Sequence, residues 1–113
     1  MHELSVAISI VEIAKEEAMK AGSTHVEEIV LEIGKLTCIE EEALLYAWQE
    51  AIKNTVLQHA TCTIEYIEGR AICITCNKEF ALTSLYDLCP ICQYIGKEII
   101  QGKELRIKSM VII

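Results

Sequence analysis

The sequence predicts an α+β fold: a small three-stranded sheet packed by two helices, with a cysteine-bearing module inserted before the last strand. Three observations predict it. Over the first 70 residues the hydrophobic period alternates between that of a helix and that of a strand. A last alternating segment, Leu105 to Ile112, follows after a gap. That gap of roughly 35 residues is too long for an unstructured loop in so small a protein, and it holds four of the six cysteines.

Each element has its own signature. From Leu4 to Ala21, Leu4, Ala7, Ile8, Val11, Ala14 and Ala18 recur at three- and four-residue spacing, which predicts an amphipathic helix with Gly22 as its stop. His25 to Leu36 changes to alternation. Ile29, Leu31 and Ile33 face one side and Glu28, Val30 and Glu32 the other, a half-buried strand ending at Gly34. Thr37-Cys38-Ile39-Glu40 has the form of a capping box, and Leu44, Ala47, Trp48, Ala51 and Ile52 supply the inward stripe of a second helix, with Trp48 as a core anchor. A second strand is expected from Cys62 to Glu68, with Cys62, Ile64 and Tyr66 on one face. In the last strand, Arg106 and Lys108 can reach Glu28, Glu32 or Glu65 across the sheet. The expected division is residues 1–69 plus 104–113 as the α+β domain and 70–103 as the inserted module.

Composition narrows the function. The chain has 113 residues, 52% of them apolar, and a single proline, so all of it should fold around one modest core. No basic segment precedes the apolar stretch near the start, and no run approaches the roughly 20 apolar residues of a membrane span, which points to a cytosolic, membrane-free protein. Residues 1–69 hold thirteen acidic and four basic side chains, a balance of −9, whereas residues 70–113 balance at +2. An acidic body repels phosphate backbones, so nucleic acid is a poor partner. No Gly-rich phosphate loop, HExxH or GxSxG is present, and His25 and His59 stand at surface positions, so catalysis has no visible machinery.

The inserted segment reads Cys73-X2-Cys76, twelve residues, then Cys89-X2-Cys92. Each pair lets two thiolates face one ion from a tight turn, and two such turns complete a tetrahedral sulfur cage for structural zinc, with no open position for substrate. A redox-active dithiol and an iron–sulfur cluster compete with this reading. The first needs only one pair at a helix start, and the second does not usually adopt so symmetric a spacing. Cys38 and Cys62 are expected to be small buried apolar residues.

The amino terminus, Met1-His2-Glu3, also offers donors. The Met1 amine, the His2 amide and the His2 Nδ1 can close adjacent chelate rings, with the Glu3 amide as a further nitrogen, a planar set that suits Ni(II) or Cu(II). An incidental histidine in second position is the competing reading.

"MHELSVA" at the start, "VLEIGKLTCIEEEALLYAWQ" over residues 30–49 and the four-cysteine ribbon before a final strand together resemble the HypA family of hydrogenase nickel-incorporation proteins. The likeness covers essentially the whole chain. It implies a non-enzymatic nickel metallochaperone that binds Ni(II) as cargo through Met1, His2 and Glu3 and holds structural Zn(II) through Cys73, Cys76, Cys89 and Cys92. It also implies a HypB-type GTPase and the [NiFe]-hydrogenase large subunit as partners, with urease maturation served by some members. Residues 70–113 lack the ribbon histidine that some members carry. The alternative function is a zinc-ribbon module that binds RNA or protein without nickel.

Overall fold

The computed structural model describes residues 3–113. Helix α1 (Glu3–Lys20) leads to strand β1 (Val26–Gly34), a 3-10 turn (Lys35–Thr37) and helix α2 (Glu41–Ala51). Five further strands follow: β2 (Thr61–Ile67), β3 (Gly69–Cys73), β4 (Glu79–Leu82), β5 (Lys97–Gln101) and β6 (Leu105–Ile112). With β1 they form two three-stranded sheets, ordered β2-β1-β6 and β4-β3-β5. The first is the expected sheet with the expected two helices. The second belongs to the insert, where β3 pairs antiparallel with both neighbours.

The chain divides into two compact units. The first comprises residues 1–31, 39–65 and 106–113, and the second residues 32–38 and 66–105.

In the first unit α1 and α2 pack against each other. The buried side of α1 is Val6, Ala7, Ile10, Val11, Ala14 and Ala18. Ala7, Val11, Ala14 and Ala18 are buried as the spacing predicts, whereas Leu4 and Ile8 stand 53% and 48% exposed and Val6 and Ile10 are buried in their stead. Helix α1 is apolar on two faces, and spacing alone does not choose between them. Gly22, at φ +69°, closes the helix by a Schellman turn: its amide donates to Met19 O (2.9 Å) and the Ser23 amide to Ala18 O (2.9 Å). Leu44, Ala47 and Trp48 are buried on α2, as the stripe predicts, whereas Ala51 and Ile52 are only half-buried. Val26, Ile29 and Leu31 on β1 are fully buried. Lys108 Nζ lies 2.8 Å from Glu65 Oε1, one of the ion pairs expected between these strands.

The capping box does not form, because α2 begins four residues after Thr37, with Glu40 as N-cap and no side-chain cap of its own; Thr37 Oγ1 donates to Gly34 O (2.8 Å) within the 3-10 turn. Cys38, which follows the turn at φ +59°, is exposed and not the buried residue expected. Cys62 is half-buried on β2, and that burial pushes its thiol up to about 11. Among the described residues no helix is long and apolar enough to cross a membrane.

In the second unit, Leu36, Ala71, Cys73, Phe80, Leu82 and Cys89 form the core. Leu36 comes from the 3-10 turn and fills space that two glycines leave. A Cβ on Gly102 would stand 2.8 Å from Leu36 Cδ1 and 2.6 Å from Gly69 Cα, and one on Gly69 would meet Leu36 Cγ at 2.9 Å.

Candidate metal centre

Two knuckles built alike carry the four cysteines. In the first, the Asn77 amide donates to Cys73 O (2.9 Å) and the Cys73 amide to Lys78 O (3.0 Å). In the second, the Gln93 amide donates to Cys89 O (2.8 Å) and the Cys89 amide to Tyr94 O (3.1 Å). The residue after each pair turns back in the left-handed region, Asn77 at φ +60° and Gln93 at +64°. A four-residue stretch folded this way aims both side chains of a Cys-X2-Cys pair into one point, which is the physical content of the spacing.

The backbone also prepares the sulfurs for negative charge. Cys73 Sγ accepts the Cys76 and Thr75 amides, and Cys89 Sγ accepts those of Cys92 and Ile91. Cys76 Sγ accepts the Lys78 amide and Cys92 Sγ that of Tyr94. These bonds, the Cys76 amide foremost, pull the Cys73 thiol down to about 6, and Cys89 is lowered likewise. At Cys92 the Tyr94 amide acts in the same direction, but the neighbouring sulfurs, Cys73 first, and burial together push it up to about 12. Four thiolates this close repel one another unless a cation sits among them.

The geometry suits such a cation. The four sulfurs lie within 4.8 Å of one another, with Cys73–Cys92 at 3.5 Å and Cys76–Cys89 at 3.6 Å. Tetrahedral thiolate bonds of about 2.3 Å would set sulfurs about 3.8 Å apart, so the donor set fits zinc without rearrangement. No two sulfurs are bonded as a disulfide. Cys73 and Cys89 are buried, and Cys92 is exposed. The four residues singled out by spacing are therefore brought together, and Cys38 and Cys62 stand outside the cluster.

Met1 and His2, the other donors expected from the sequence, lie outside the described residues. Glu3 opens α1 and is 9% exposed. Its Oε2 accepts the Glu40 amide (3.1 Å), and this bond is the main reason its carboxyl is held down to about 2. The N-cap amide of α2 is thus satisfied by a carboxylate 37 residues away and not by its own capping box. The sequence gives no local signal for this pairing, because it depends on how two helices meet.

A family model described as "Hydrogenase/urease nickel incorporation, metallochaperone, hypA" matches residues 1–112. The chain is 45% identical over 112 residues to the hydrogenase maturation factor HypA of Parabacteroides distasonis, with 99% of this chain and 97% of the other covered. It is 35% identical to that of Geotalea daltonii over the full length of both. The solution structure of the Ni metallochaperone HypA from Helicobacter pylori superposes with a TM-score of 0.75 at 25% identity, covering 100% of this chain and 98% of that one. A second solution structure, of a HypA protein, gives 0.71 at 27% identity.

Proposed function

The chain belongs to the HypA family of nickel metallochaperones for hydrogenase maturation, which are not enzymes, and from that premise we propose that it captures Ni(II) at its amino terminus and delivers it to a nickel enzyme. The observation that carries the reading is the match over residues 1–112, which takes in Met1-His2-Glu3 together with the four-cysteine ribbon. The Met1 amine and the His2 amide and imidazole supply nitrogen donors of the kind that planar Ni(II) prefers. The imidazole must be neutral to bind, so capture weakens as the pH falls through about 6.5.

Glu3 keeps the part read in the sequence, a backbone nitrogen offered to the ion, because its carboxylate is engaged on the Glu40 amide and ties the start of α1 to the start of α2. Residues 70–113 contain no histidine, so a fourth donor from that segment would not be an imidazole.

Cys73, Cys76, Cys89 and Cys92 would hold structural Zn(II), which supplies a cross-link for a module too small to be held by its core alone. Working in the cytoplasm with a HypB-type GTPase, the chain would pass nickel by ligand exchange to the [NiFe]-hydrogenase large subunit. In a hydrogenase-producing bacterium deprived of its own copy, the wild-type chain should restore hydrogenase activity and His2→Ala should not, with excess nickel in the medium rescuing the variant strain. Full restoration by His2→Ala at low nickel would refute the reading.

A further inference from the structure

The four clustered sulfurs are not equivalent toward a reagent in solution. Cys73 and Cys89 are buried in the ribbon core with Leu36, Ala71, Phe80 and Leu82, and Cys76 is half-buried. Cys92 is exposed, as is every residue around it from Pro90 to Ile95. The backbone adds a second distinction. Cys73 and Cys89 each accept two amides, whereas Cys92 accepts the Tyr94 amide alone. An amide bond draws charge off a thiolate and lowers its nucleophilicity, so the sulfur that solvent reaches most easily is also among the least blunted.

Cys92 also has a partner sulfur in the other knuckle. Cys73 Sγ lies 3.5 Å away, although the two residues are 19 apart in sequence, and a small side-chain movement would bring the pair to bonding distance. We propose that Cys92 is a site of oxidation by hydrogen peroxide and Cys73 the thiolate that resolves it, so that oxidation ties the two knuckles together by a Cys73–Cys92 disulfide and discharges the metal. The inference rests on the reading that these thiolates hold zinc. It differs from a redox dithiol of the Cys-X2-Cys kind, which closes its disulfide within one pair.

The chemistry takes two steps. Cys92 Sγ attacks one peroxide oxygen, the O–O bond breaks, and a sulfenic acid forms on Cys92 as hydroxide departs. Cys73 Sγ then attacks the Cys92 sulfur, the S–S bond forms, and a second hydroxide leaves. The two thiolates together give up two electrons, the peroxide takes them, and both hydroxides collect a proton from solvent to become water. Cys76 and Cys89 then remain as the only thiolates of the cluster, too few to keep a tetrahedral ion. The new bond crosses between the same knuckles as the ion did, and a small-molecule dithiol reductant reverses it by thiol exchange.

The test treats the full, zinc-loaded chain with hydrogen peroxide while a chromophoric chelator reads released zinc, and maps the product by non-reducing tryptic digestion and mass spectrometry. The same is done on a chain carrying Cys38→Ser and Cys62→Ser, in which the four clustered thiols are the only ones left. Both chains should release about one zinc ion per peroxide consumed. Peptides 71–78 and 79–97 should appear linked, with fragmentation placing the bond between Cys73 and Cys92. Dimedone present during oxidation should label Cys92 about tenfold more than any other clustered cysteine, and dithiothreitol with added zinc should restore the metal. Disulfides confined to Cys73–Cys76 or Cys89–Cys92 overturn the proposal, as does dimedone on a buried sulfur in place of Cys92. So does zinc that stays bound in a large excess of peroxide. Metal analysis before the oxidant is added judges the zinc reading separately: a chain without zinc refutes that reading, and the position of the disulfide still decides this one.

Discussion

At the level of single residues, the side chain of Glu3 acts as an anchor between two helices. Its carboxylate accepts the Glu40 amide and is held at about 2, well below the ordinary value of 4.5. A carboxyl with a depressed folded pKa contributes stability that is fully present above its unfolded value and lost as the pH falls toward the folded one. The Glu40 amide should therefore keep its hydrogen-exchange protection from neutral pH down through the range where exposed glutamates protonate, and lose it only near pH 2. Glu3→Ala should exchange rapidly at that amide throughout. Equal protection in both proteins would show that the bond does not hold α2. The sequence could not reveal this pairing, whereas it did reveal Trp48, because a large aromatic on an apolar stripe is placed by local spacing and Glu3 by tertiary structure.

At the level of elements, the 3-10 turn Lys35–Thr37 decides more than its length suggests. Leu36 belongs to the ribbon core and packs in the cluster that contains Cys73 and Cys89. Leu36→Ala should cost about 2–5 kcal/mol of ribbon stability through the cavity it leaves, and zinc should be lost to a chelator at lower concentration. Unchanged zinc retention would contradict that role. A lone leucine between Lys35 and Thr37 has no periodicity to betray it, and its partners lie at residues 71–89. The same turn defeats the capping-box reading of Thr37 and Glu40: the spacing is correct, but the turn ends at Thr37 and α2 begins only at Glu41, which puts Glu40 at the N-cap and not at the third helical position. By contrast the knuckles were legible, since Cys-X2-Cys aims two sulfurs at one point through backbone bonds that lie within six residues. The ribbon strands β3–β5 were not, being only four or five residues long.

For the whole molecule, the division into units predicts what zinc removal does. Residues 32–38 group with 66–105, although they lie far from the cysteines in sequence. Chelation should therefore raise hydrogen exchange in 66–105 and in 32–38 together, while 39–65 stays protected by the packing of α1 on α2. Protection of 32–38 that survives chelation would mean the turn is held by the first unit alone. The α+β class, both helices and the order of elements were readable because long periodic segments dominate the first 70 residues. The edge of the buried side of α1 was not, since Leu4 and Ile8 match the helical period as well as Val6 and Ile10 do, and only packing distinguishes them.

The proposed nickel site is a chelate at the amino terminus that needs both the free amine of residue 1 and the imidazole of residue 2. Isothermal titration of Ni(II) into the zinc-loaded, untagged chain tests it most directly, beside His2→Ala and a version with Gly-Ser placed before Met1. One equivalent should bind the wild type, with affinity falling as the pH drops through about 6.5, and both altered proteins should lose that site. Three proteins binding one equivalent alike would contradict the account.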